Sequence, residues 1–170
     1  HYISRRLEEA IADYGRALEH APRARIYANR GLVYMELRRS EEAHADLARA
    51  LELDSADPRA KRLKQSLAVV ERLDWAVERL TERDFGPRVE AALREAFAAR
   101  LAEAGYRLAV LLSLSNRREE GGRVLAEAAR MGHRTAAYEL YHERLRQGRY
   151  EEARGLLKRA VELESHAAMV

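Results

Sequence analysis

Residues 41–51 read Glu-Glu-Ala-His-Ala-Asp-Leu-Ala-Arg-Ala-Leu, and their frame returns four times in a chain of 170 residues. Glu-Glu-Ala stands at 8–10, 41–43 and 151–153, and Glu-Glu-Gly at 119–121. With the small residue as position zero, apolar residues follow at +4, +7 and +8. They are Tyr14, Ala17 and Leu18; Leu47, Ala50 and Leu51; Leu125, Ala128 and Ala129; Leu157, Ala160 and Val161. A degenerate copy fits at Val89, Leu93, Ala96 and Phe97. The zero positions 10, 43, 89, 121 and 153 are spaced by 33, 46, 32 and 32 residues.

Offsets of 0, +4, +7 and +8 lie on one helical face, and a small residue at zero lets a neighbouring helix approach closely. A second helix precedes each copy, marked by Tyr27, Gly31 and Tyr34, by Tyr106 and Leu108, and by Tyr138 and Leu140. Turn signals at Arg39-Ser40, Asn116-Arg117 and Gln147-Gly148 separate the two helices. The unit is a helical hairpin of 32–34 residues. One hairpin cannot bury its own apolar face, so stacked hairpins must share a core. The expected fold is an all-α, right-handed solenoid of about ten helices.

The spacing of 46 holds surplus chain between 58 and 83. Asp57 and Pro58 suit an N-cap and first helical residue. Ala60, Leu63, Leu67, Val70, Leu73, Val77 and Leu80 then recur every three or four residues, which fits one long helix or two. The stripe reads as core, or as a pairing helix for a second chain. The expected divisions are 1–57, an irregular unit at 58–101, and 102–170. Counted by the frame, the chain begins inside a first helix, and Ser165-His166-Ala167-Ala168-Met169 opens another. Both ends look cut, as in a segment of a longer protein.

Composition bounds the chemistry. There are no cysteines, which excludes disulfides, thiolate metal sites and cysteine nucleophiles. No apolar run approaches the about 18 residues of a membrane span, and no signal peptide opens the sequence. A cytoplasmic protein is expected. The net charge is +3, with 16 basic and 16 acidic residues in 1–85 and 15 against 12 in 86–170. Lys occurs only at 61, 64 and 158, so the Arg richness reads as GC-rich, bacterial coding bias. Carboxylates interleave the arginines, which opposes a phosphate-binding stripe.

No metal or cofactor is expected. Asp84-Phe85-Gly86 copies a kinase tripeptide, but a glycine-rich loop and a catalytic His-Arg-Asp are missing, so it is a turn before Pro87. The six histidines form no ligand spacing. The Glu-Glu pairs sit in first helical turns, where negative charge complements the helix dipole. Gly121-Gly122 reads as close packing. No nucleophile–base order or phosphate loop is present, so no enzyme is expected. Trp75 falls beside the 60–80 stripe, either half-buried against a neighbouring unit or serving as an interface anchor.

Residues 24–57 resemble a tetratricopeptide repeat, through Tyr27, Gly31, Tyr34, Ala43, Leu47 and Ala50 at that family's spacing. The preceding copy adds Ala10, Tyr14, Ala17 and Pro22, while Ser55 replaces the usual repeat-ending proline. Residues 128–133 and 166–169 are similar to the Sel1-like variant, and Tyr141 stands where that unit expects a small residue. The resemblance implies a protein-binding scaffold whose first helices line a concave groove. Carried over by register, that groove takes Arg25, Asn29, Leu32 and Glu36; then Tyr106, Arg107 and Val110; then Tyr138, Glu139, His142 and Arg146. Tyr106 and Tyr138 are equivalent positions and candidate anchors, or else pack within their hairpins. Asn29 matches one position of the family's chaperone-tail clamp, but the accompanying lysines are missing, so chaperone C-termini are not the expected ligand. The implied function is a non-catalytic adaptor binding a peptide or helix, with self-association through terminal repeats. The alternatives are a nucleic-acid-associated regulator using arginines of 86–170, and an oligomerisation spacer.

Overall fold

Helix ends set the rhythm of this molecule. In the computed structural model, which describes residues 2–158 and side chains from Arg5 onward, six residues take the left-handed conformation just after a helix. They are Arg38, Arg83, Arg100, Asn116, Gly132 and Gly148, with φ between 60° and 95°. Each makes the same paired closure. At the first, the Arg39 amide donates to the Tyr34 carbonyl at 2.9 Å and the Arg38 amide to Met35 at 3.0 Å. The pair returns as Leu101 to Ala96 and Arg100 to Phe97, and as Arg117 to Leu112 and Asn116 to Ser113. This is the Schellman closure, which satisfies two orphan carbonyls and reverses the chain. The last four such residues, 100, 116, 132 and 148, are 16 apart, so two helices make the 32-residue hairpin read from the sequence.

Eight helices are complete among the described residues: α1 (Tyr2–His20), α2 (Ala24–Glu36), α3 (Ser40–Leu53), α4 (Pro58–Thr81), α5 (Pro87–Ala98), α6 (Ala102–Leu114), α7 (Arg118–Arg130) and α8 (Arg134–Arg146). Residues 150–158 are also helical. No strand occurs among the described residues. The fold is an all-α helical repeat of stacked hairpins. Ala160, Val161 and residues 166–169, where a Sel1-like segment is expected, lie outside the described residues.

Two expectations are settled by local geometry. Residues 58–81 form one helix, not two. Asp57 Oδ1 accepts from the Arg59 and Ala60 amides at 2.8 and 2.9 Å, Pro58 follows as first residue, and neither Gly nor Pro interrupts the rest. The opening residues do not form the end of a separate first helix. Residues 2–6 run straight into the helix carrying Ala10, because no left-handed residue stands where Arg38 stands in the next copy.

The chain divides into two units, one up to Ala68 and one from Val69 onward. The first packs α1, α2, α3 and the start of α4. Its core is Ala24, Ala28, Ala43, Leu47, Ala50, Ala60, Leu63 and Leu67. Gly31 is what brings α2 onto α3 and α4: a Cβ there would lie 3.4 Å from the Ala43 carbonyl and 2.5 Å from Leu63 Cδ2. One polar clamp crosses this core. Arg30 donates two hydrogen bonds to Asp46 at 2.8 and 2.7 Å, and Asp46 is buried. The Arg30 guanidinium lies within 5.7 Å of the Tyr27 and Tyr34 ring centres, and its pKa is raised, chiefly by the bond to Asp46.

The second unit begins with the rest of α4. Leu73 and Ala76 join Val89, Leu93, Ala96, Leu108, Leu111 and Leu112 in one core cluster. A second cluster, Ala128, Ala129, Ala136, Ala137 and Leu140, ties α7 to α8. The α4 stripe is therefore consumed as core in both units: Ala76 is fully buried, and the partly buried Val69, Val77 and Leu80 pack against the same cluster. Gly105 admits Phe97, whose ring carbon would lie 2.6 Å from an added Cβ. Gly121 lets α7 lie on α6: a Cβ there would stand 3.0 Å from the Ala109 carbonyl and 2.9 Å from Ser113 Oγ.

The repeated acidic pairs do more than face the helix dipole. In three copies the second glutamate bonds the arginine three residues earlier: Arg39 to Glu42 at 2.7 Å, Arg117 to Glu120 at 2.7 Å and Arg149 to Glu152 at 2.8 Å. In the second unit this pair extends into a ring. Arg94 donates to Glu90 at 2.9 Å and Glu120 at 2.6 Å, while Arg117 closes back on Glu90 at 2.8 Å. Bonding from Arg94 and then Arg117 holds Glu90 and Glu120 below the ordinary glutamate range, although burial pushes both up.

Candidate functional groove

Helices α6, α7 and α8 enclose an open cavity of about 760 Å³. Its apolar floor is Ala109, Val110, Leu114 and Leu125. Val110 and Leu114 are one helical turn apart and expose 37% and 64% of their surface. That is an apolar strip that this chain leaves uncovered. Arg118, Glu139, His142, Glu143 and Arg146 stand around it.

The floor exists because α7 is stripped there. Gly121 and Gly122 both line the cavity, but only Gly121 is close packing. A Cβ on Gly122 would meet nothing within 4 Å, which corrects the reading of the pair as a packing device. The corresponding residues one past zero in the other copies are Ile11, His44, Glu90 and Arg154, all with long side chains. A mid-helix glycine costs about 1 kcal/mol against alanine, and at 122 no neighbour requires it.

The wall is held by a polar junction between α6 and α8. His133 caps α8: its Nδ1 accepts from the Ala136 amide at 3.2 Å, so Nε2 carries the proton and donates to Glu103 at 2.8 Å. The His133 ring stacks on Tyr106, centroids 4.6 Å apart. The Tyr106 hydroxyl donates to Glu139 at 2.9 Å. Burial and that bond raise the Tyr106 pKa. At Glu103 burial acts upward, yet the bonds from His133 and Arg107 prevail and the pKa is lowered.

The groove residues expected from register fall into several places. Val110, Glu139, His142 and Arg146 line the cavity. Tyr106 and Arg107 are committed to the junction beside it, Arg107 through Glu103 at 2.6 Å. Tyr138 is 58% exposed and meets His142 edge-on at 4.5 Å, so the two equivalent tyrosines differ: one is engaged and one presents its face to solvent. Tyr141 is only half-buried, and Ala153 is nevertheless fully buried. In the first unit, Arg25 borders a smaller hollow of about 400 Å³ with Pro22 and Leu53. Asn29 is half-buried, Leu32 packs against the core, and Glu36 is exposed. Trp75, 37% exposed, lies under the Arg88 guanidinium at 5.9 Å.

Register reasoning missed Ser113, Leu114, Arg118, Gly122, Leu125 and Glu143. The i, i+4 pair Val110 and Leu114 was a visible signal; the bare face at Gly122 was not. Many cations of 86–170 are already paired: Arg94 and Arg117 in the ring, Arg100 and Arg130 on Glu127, Arg107 on Glu103. Among the described residues no cluster of three or more His, Asp or Glu could hold a metal, and no helix is long and apolar enough to cross a membrane.

With this geometry in place, comparison with known proteins adds a class. Residues 24–57 match the family model of the tetratricopeptide repeat. Two solved structures are similar along most of the chain. One, described as "Crystal structure of MamA", is 20% identical, covers 96% of this chain and 92% of its own, and superposes with a TM-score of 0.41. The other, "Crystal structure of MamA protein", is 19% identical over 99% of this chain and 88% of its own, with a TM-score of 0.38.

Proposed function

We propose that this chain is a non-catalytic protein-interaction module and that its binding face is the α6–α8 groove, which accepts a peptide or helix. The observation that carries the reading is the exposed strip of Val110 and Leu114 on the floor of a cavity rimmed by charge. Binding sites combine an apolar centre with a few placed polar groups. Tetratricopeptide repeats are interaction scaffolds, and the match at 24–57 is consistent with that role. Tyr138, exposed beside His142, extends the face; Trp75 belongs to a separate surface of α4 and α5.

A selection experiment tests this. Peptides are selected from a random display library on the wild-type protein and then assayed on Leu114→Asp and Glu36→Ala. Leu114 is exposed, so the first change leaves folding intact. The expected result is loss of the selected peptides on Leu114→Asp and retention on Glu36→Ala. The reverse pattern would place the binding face in the first unit and overturn the assignment.

A further inference from the structure

We infer that His133 is a proton-operated catch on the first turn of α8: neutral, it caps the helix; protonated, it releases the cap and stays tied to α6 through Glu103. The inference concerns this helix end and holds whether or not the groove is the binding face. Helices α5, α6 and α7 start without a side-chain cap, and α8 starts with one. Ala136 stands third in α8, where no carbonyl of the helix reaches its amide. Its acceptor is His133 Nδ1 at 3.2 Å. That bond needs a lone pair. Neutral imidazole has one; in imidazolium both nitrogens are donors. Histidine is the side chain that changes charge between about pH 5 and 8. Asp57 supplies the contrast in the first unit. It caps α4 with a carboxyl oxygen, which keeps a lone pair with or without its proton.

The surroundings hold the ring through the change. Nε2 already donates to Glu103 at 2.8 Å, and a positive ring makes that bond charge-assisted. The stacked Tyr106 ring, centroids 4.6 Å apart, offers its π face to the same charge. Burial pushes Glu103 up, but the bonds from His133 and Arg107 hold it below the ordinary glutamate range, so it is anionic where the ring titrates. The positive end of the α8 dipole opposes the protonated form. The other charges at this end of the packed helices are Arg107 on α6, Glu127 and Arg130 in the last turn of α7, Arg134 and Glu139 on α8, and Arg154 and Lys158 on the helix 150–158. Among the described residues Glu103 is the anion that bonds the ring. Protonation therefore exchanges partners: α6 keeps the ring and the Ala136 amide loses its acceptor. The released turn leads into the stretch of α8 that carries Glu139, His142 and Arg146.

Amide hydrogen exchange read by NMR on the whole chain tests this at about pH 7.5 and about pH 5, either side of the range in which histidine titrates. Ala136, under His133, is compared with Ala60, under Asp57. In wild type the Ala136-to-Ala60 rate ratio should rise at least about fivefold on going to the lower pH, the loss of one cap. In His133→Asn it should stay flat, because a carboxamide oxygen accepts at either pH. Ring nitrogen shifts read the proton directly: on Nε2 alone at the higher pH, on both nitrogens at the lower. A flat ratio in wild type, an equal rise in His133→Asn, a proton on Nδ1 at the higher pH, or a ring still neutral at the lower pH overturns the inference. Glu103→Gln should lower the midpoint of the ring's titration. An unmoved or raised midpoint contradicts Glu103 as the anchor.

Discussion

Hairpins α2–α3 and α6–α7 occupy the same frame and solve it with opposite chemistry. In the first, Gly31 faces Ala43; in the second, Ala109 faces Gly121, so the glycine has changed helices. The slot that holds Arg30 and Asp46 in the first hairpin holds Leu108 and Val124 in the second, 78 residues further on. The frame thus requires complementary partners rather than particular residues. That freedom explains why the family model reaches 24–57 while the second hairpin carries a weaker form of the pattern. The second hairpin spends its glycine on α7, and a further glycine beside it lines the groove, where the first hairpin carries the long side chain of His44.

The comparison breaks first at the buried clamp. Arg30→Ala leaves Asp46 buried and unpaired and should cost about 3–5 kcal/mol in urea unfolding. Importing the other hairpin's solution, Arg30→Leu/Asp46→Val, should be close to neutral or stabilising. If the double variant is as unstable as the single one, the two slots are not equivalent.

Next come the glycines. Gly31→Ala and Gly121→Ala each force a methyl into a contact of 3.0 Å or less and should cost about 1–3 kcal/mol by overpacking. Gly122→Ala, one residue on, should stabilise by about 0.5–1 kcal/mol through helix propensity. Opposite signs at neighbouring positions, read from thermal melts, are the signature of one packed and one vacant face.

Acid sharpens the contrast further. Glu90 and Glu120 have folded pKa values below their unfolded ones, so their ring contributes stability above about pH 4.3 and loses it as pH falls through the lowered values. Glu90→Gln/Glu120→Gln should flatten the acid limb of a stability–pH profile. An unchanged limb would mean the ring is solvated and inert. The smallest expected effect is at the helix ends. Arg38→Gly and Arg83→Gly relieve a left-handed conformation and should each gain about 0.5 kcal/mol, one in each unit.

Much of this was legible in the sequence, for physical reasons. The recurring 0, +4, +7, +8 offsets gave every second helix, and Asp57-Pro58 marked the start of α4 because cap chemistry is local. The helix ends at Arg38, Arg83 and Arg100 were hidden, since three of the six left-handed positions are arginines, which are not turn formers. A third of the groove followed from first-helix register. Leu114 was overlooked although it stands one turn past Val110 on the same first helix, whereas Arg118 and Gly122 were missed because a cavity needs positions on the second helix too, and a missing side chain has no periodicity.

The central claim is that the second hairpin's face, and not the first's, receives a partner. Two-dimensional amide NMR of the whole chain, titrated with a peptide selected on the wild-type protein, tests it residue by residue. The account predicts progressive shifts at Val110, Leu114, Gly122 and His142, with Asn29, Gly31 and His44 unmoved. Shifts centred on Asn29 and His44, with Leu114 and Gly122 silent, would contradict it.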